Sequence, residues 1–141
     1  MGASYWDYLT PYRGTPQRTL DALRQEVFAS GRWIGAGGYE TLDELWADDE
    51  FMTDEGTHSV LDVIKAVPDP GLRVPGTVHP LRPARLVHHF GTDRPTVAQY
   101  VRAAEDRSLQ QELDVRGAGV YILLHTDGEP THVGFFGVSG D

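Results

Sequence analysis

The residues whose types and spacing best suit chemistry lie in HTDGEPTH, residues 125–132. Two histidines flank a short acidic turn. An imidazole titrates near pH 6.5, so it can serve as a general base or, when neutral, as a metal ligand. Take the turn as a four-residue loop over 127–130. Thr126 then pairs with Thr131 and His125 lies opposite His132, with Cβ atoms roughly 5 Å apart on one face. A third ligand would have to come from Asp127, Glu129 or a distant residue, and nothing in the sequence nominates one. Two histidines do not complete a zinc site, which takes four protein ligands when structural and three when catalytic. The H-x6-H spacing also fits no helical or finger pattern. The preferred reading is a polar hairpin tip. A one-residue slip of register would send the two imidazoles to opposite faces.

Other groupings are weaker. His58, Ser59 and Asp62 supply the three residue types of a hydrolytic triad. On a strand, however, His58 and Asp62 share a face and Ser59 points away. No G-x-S-x-G elbow is present either. His88 and His89 are adjacent on a helical stretch, about 100° apart around the axis, so they suit one core-edge and one solvent position rather than a chelate. The G-A-G-G run at 35–38 lacks the strand before it and the Lys-Ser/Thr after it that a phosphate loop needs, and reads as a flexible turn.

The strongest compositional signal is acidity. The net charge is −9, and residues 40–55, ETLDELWADDEFMTDE, hold eight acids and no Lys or Arg. This run lacks the D-x-D-x-D-G ligand order of a tight calcium loop. It repels phosphate backbones and attracts basic partners. Trp46, Phe51 and Met52 are interleaved with Asp48, Asp49, Glu50, Asp54 and Glu55, and aromatic and methionine side chains anchor interfaces. These eight residues form the expected partner-binding face.

The chain has no cysteine, which excludes disulfides, thiolate metal sites and cysteine nucleophiles. No apolar stretch approaches the roughly 20 residues that span a bilayer, and the N-terminus has no signal-peptide pattern. A cytoplasmic location is expected. Eleven of the twelve basic residues are arginine, a coding bias of GC-rich bacterial genomes.

The elements that must position these residues follow from caps and periodicity. Residues 4–9 suit a strand. Thr15 caps a helix over Pro16–Ser30, with Leu20, Leu23 and Val27 on one face and Gly31 as its stop. Thr41 and Glu44 form a capping box for a short helix, with an acidic loop over 48–57. Residues 58–67 lean to a strand on their β-branched content, and 68–80 read as a proline-rich connector. Helices follow at Pro83–Phe90 and from Thr96 to about Arg107, the latter with room to continue to Leu113. The chain ends in the hairpin. Its loop is set at four residues because a two-residue Asp-Gly turn would force Pro130 into the ladder.

The resulting fold class is a single α+β domain over 1–141. A mostly antiparallel sheet, built from the N-terminal strand and the C-terminal hairpin, carries the helices 16–30 and 96–107 against one face. Core positions are Leu20, Leu23, Val27, Val97, Val101, Ile122, Leu124, Val133 and Phe135. The leading function is a small acidic protein-binding module of immunity or antitoxin type. It would neutralise a basic protein partner, with no cofactor, no nucleic acid and no membrane. The alternative is a hydrolase or transferase using His125 and His132, with His58 in reserve. A third reading, a winged-helix DNA reader made of the two later helices and the hairpin, meets a charge-neutral recognition helix and an acidic chain.

Overall fold

The computed structural model describes residues 4–139. β1 (Ser4–Pro11) lies at one edge of a five-stranded sheet, followed in space by β5 (Glu129–Ser139), β4 (Gly119–Thr126), β3 (Thr77–Pro80) and β2 (Lys65–Ala66). The two long pairings, β1 with β5 and β5 with β4, are antiparallel. The two short ones are parallel. The N-terminal strand and the C-terminal hairpin therefore share one mostly antiparallel sheet in an α+β fold, as expected.

Threonine caps start three of the helices, and glycines end two. In α1 (Pro16–Ser30) the Thr15 hydroxyl accepts from the Arg18 N–H, Pro16 takes the first position, and Gly31 ends the helix at φ 71°. In α2 (Leu42–Ala47) the Thr41 side chain accepts from the Glu44 N–H. The Glu44 carboxylate reaches back to the N–H of Glu40, one residue before the cap. α4 (Pro83–Phe90) ends on Gly91 in the left-handed region. α5 (Val97–Glu105) carries a full capping box between Thr96 and Gln99. Thr96→Ala should lower the stability of the fold by about 1 kcal/mol in urea unfolding, since it leaves the Gln99 N–H without its partner.

The helices do not share one face. α1 and α2 pack on the side carrying Val78, Tyr121, Val133 and Phe135. α4 and α5 pack on the other, against Val120, Ile122, Leu124 and Phe136. Strand alternation makes the sheet apolar on both sides, and each side needs its own cover. Val101 is exposed and Val97 half-buried, because α5 turns Tyr100 and Ala103 inward instead. The other seven expected core positions are buried.

Four segments differ from their sequence reading. The acidic loop contains α3 (Asp49–Asp54), because the Asp48 side chain accepts from the Phe51 N–H as a helix cap. Residues 58–67 form a 3-10 turn at Val60–Asp62 and only the two-residue β2, since Ser59 caps the turn through the Leu61 N–H. The proline-rich connector ends in β3, where Thr77 to Pro80 pair with β2 and β4. The last helix stops at Glu105 because Arg107 takes φ 63°, and a separate 3-10 turn, Ser108–Glu112, follows.

The glycine-rich turn after α1 is packed rather than loose. Phe28, Trp33, Tyr39 and Phe51 form a ladder of rings with centroids 5.4, 6.4 and 5.8 Å apart. Gly35 lies under the Phe51 ring, where a Cβ would come within 2.7 Å of Cζ. The Ala36 and Gly38 N–H groups are spent on Trp33 and Gly35 carbonyls, so they do not form an anion cradle.

Candidate binding cleft

The acidic segment is held in place by named contacts. The Trp46 Nε1–H donates to the Leu61 carbonyl at 2.9 Å, and the Arg24 guanidinium lies over its ring, 5.9 Å from the centroid. The Tyr39 hydroxyl donates to Asp48 Oδ2 at 2.7 Å. That bond, with the Phe51 N–H, holds the Asp48 carboxyl below its ordinary range. Asp48 and Phe51 are thus committed to building α3, Met52 packs partly against the core, and Asp49, Glu50, Thr53 and Asp54 face outward.

Beside α3 opens a cleft of about 520 Å³. Four of the eight expected partner-binding residues line it: Trp46, Asp49, Met52 and Glu55. Glu50 and Asp54 are exposed on the same helix but outside the cleft. The opposite wall is Pro75–Gly76 and Arg116–Gly117, from the loops that enter β3 and β4. Asp62 closes the floor. The walls therefore carry three carboxylates against one guanidinium, next to an indole and a thioether. Sequence reasoning gave neither Arg116 nor Asp62 a part here; residues so far apart along the chain carry no local sign that the sheet brings them together.

Asp62 is the organising residue of that floor. Its Oδ1 accepts from the Thr57 N–H at 2.7 Å and the Thr57 hydroxyl at 2.8 Å. Its Oδ2 accepts from the Ser139 hydroxyl at 2.7 Å and the His58 N–H at 3.2 Å. Four donors use the lone pairs of the carboxylate and bend the chain sharply at His58, which takes φ 56°. The Ser59 hydroxyl is buried against Thr57 and does not meet the imidazole. The His58 Nδ1 instead lies 2.7 Å from Ser4 Oγ. The triad suggested by residue types is thus a folding knot.

The hairpin departs from its expected register. Asp127 and Gly128 make a two-residue turn with φ 52° and 80°, the mirror-type turn that suits the twist of a hairpin. Pro130 does enter the ladder, opposite His125, and a bulge at Leu124/His125 absorbs it. The His125 N–H turns away from β5 to the Pro95 carbonyl at 2.8 Å. His132 pairs with Leu124, one position away, so the two imidazoles no longer face each other. Asp127 and Glu129 are exposed at the tip. Among the described residues no group of three His, Asp or Glu side chains is arranged to hold a metal ion.

His88 and His89 divide as expected. His88 is exposed, while His89 is buried with Nε2 2.7 Å from Glu112 Oε2. Arg85 donates twice to the same oxygen, at 2.9 and 2.6 Å. Burial alone would raise the Glu112 carboxyl, but Arg85 and His89 outweigh it and hold the group below its ordinary value. The cluster ties α4 to the 3-10 turn before β4. The hairpin that follows forms the middle of the sheet rather than a projecting wing. No protein-family model matches the chain, and neither a curated protein nor a solved structure is significantly similar to it.

Proposed function

We propose that this chain is a non-catalytic binding module whose acidic cleft receives a basic segment of a protein partner, in the manner of an immunity or antitoxin protein of the bacterial cytoplasm. The observation that carries this reading is the make-up of the cleft. Asp49, Glu55 and Asp62 face one cation, Arg116, beside Trp46 and Met52. Apolar surface supplies contact area, and the excess of carboxylates supplies steering and sign selection. The net charge of −9 works in the same sense at long range and against nucleic acid. No helix among the described residues is long and apolar enough to cross a membrane. The rival hydrolase or transferase reading loses its centre with the separation of His125 from His132.

The test is fluorescence polarisation with a labelled Arg-Gly repeat peptide and its Glu-Gly counterpart. The basic peptide should bind and the acidic one should not. Affinity should fall about tenfold between low and moderate salt, as screening shortens the reach of the carboxylates. Asp49→Asn with Glu55→Gln should cost about tenfold, or about 1.4 kcal/mol. Glu50→Gln with Asp54→Asn removes the same charge outside the cleft and should cost far less. Equal losses from both pairs would replace the cleft with diffuse charge attraction and overturn the reading.

A further inference from the structure

We infer that a second cavity, at the carboxyl end of β3 and remote from the acidic cleft, is a binding site for a small neutral apolar molecule bearing an amide-like donor–acceptor edge. The cavity measures about 310 Å³, within the size range of small-molecule sites. It opens where β3 ends. β3 pairs with β4 only as far as Pro80 opposite Tyr121, whereas β4 runs on to Thr126. Beyond that point the edge of β4 has no partner strand.

The backbone there supplies the recognition chemistry. In a strand, residues two apart send their N–H and C=O groups to the same side. The His125 N–H leaves β4 on the side away from β5, where Pro95 takes it. Leu123 lies two residues after Tyr121, which pairs with Pro80, and before the bulge at Leu124/His125, so it presents its N–H and C=O on the same side, past the end of β3 and beside the cavity that it helps to line. One residue of a strand edge offers a donor and an acceptor together, the pattern that an extended amide completes. His125 adds a third polar atom: its Nδ1 is buried without a protein partner, and the residue lines the same cavity.

The walls select what surrounds that amide. Leu81, Leu86 and Leu123 give apolar surface, while Asp93 and Arg94 balance each other's charge. The site is thus apolar and uncharged overall, opposite in character to the acidic cleft. A ligand with a leucine-sized group and a free amide on either side satisfies the edge, the apolar wall and the neutral balance together.

The probe is N-acetyl-leucine methylamide, titrated into isotopically labelled protein and followed by amide NMR. The expected result is saturable shifts centred on Leu123, His125 and Leu81. The analogue with both amide nitrogens methylated keeps the apolar group and loses both donors, and should bind at least about tenfold more weakly. Leu86→Trp should fill the cavity and abolish the response while leaving peptide binding at the acidic cleft unchanged. If that variant fails to fold, the two ligands still decide the matter. No saturable shift up to the solubility limit, equal binding of both ligands, or shifts centred away from β4 would each overturn the assignment.

Discussion

Replacing Gly137 with alanine should destabilise the fold by about 3 kcal/mol, at the upper end of the usual cost of overpacking. Trp6 on β1 pairs with Gly137 on β5, which in turn pairs with Gly119 on β4. The indole lies across both glycines. A Cβ on Gly137 would sit 2.7 Å from Cη2 and nearer still to Cζ2 and Cε2, and one on Gly119 would reach 3.0 Å from Cη2. Gly137 has ordinary extended backbone, so the cost is steric and not conformational. Trp6 is 8% exposed and packed in the core, so moving the indole aside means repacking its buried neighbours. Urea unfolding of Gly137→Ala measures the effect, and Trp6→Leu in the same chain should recover much of it, because the two sites share one volume. A loss below about 1 kcal/mol would show that the indole repacks freely.

The second large effect has the opposite sign. His79→Leu should stabilise the protein by about 1 kcal/mol at pH 7.5, and by more as the pH falls. His79 is 2% exposed, and neither ring nitrogen has a hydrogen-bond partner in the protein. Burial, and then the charge of Arg73, hold its pKa below the ordinary value against the pull of Asp114 and Glu112. Below about pH 6.5 the unfolded chain therefore binds a proton that the native state refuses. The native contribution is complete above that pH and is lost as the pH falls towards the depressed native value. Urea midpoints at pH 7.5, 6.5 and 5.5 should fall for the natural chain and stay flatter for His79→Leu. The difference cannot exceed about 1.4 kcal/mol per pH unit. Parallel curves would mean that His79 takes up its proton equally in the folded and unfolded chain, and would overturn the account.

What the sequence made legible was local. The caps at Thr15, Thr41 and Thr96 and the stop at Gly31 set helix ends as read, because each is a bond between near neighbours. β3 was hidden because its four residues lie between prolines and gain their pairing only from β2 and β4. The hairpin register was missed for a related reason. Pro130 argued against a two-residue turn, but a bulge absorbs it and Pro95, thirty residues earlier, accepts the displaced N–H. The acidic cleft was half legible. Its α3 wall was written in one run of sequence, whereas Asp62, Pro75 and Arg116 reach it through the sheet.

The strand order also dictates when the fold can close. β5 lies between β1 and β4, so the first strand of the described chain finds its only neighbour in the last. During synthesis β1 must wait, with Trp6 and Tyr8 unsheltered, until β5 has left the ribosome. Contacts between such distant residues slow folding, because the chain entropy is lost before the pairing is gained. A nascent chain of this protein is therefore exposed to chaperones and proteases until translation of β5 is complete, and a stop codon placed just before β5 would release a chain whose edge strand has nothing to join.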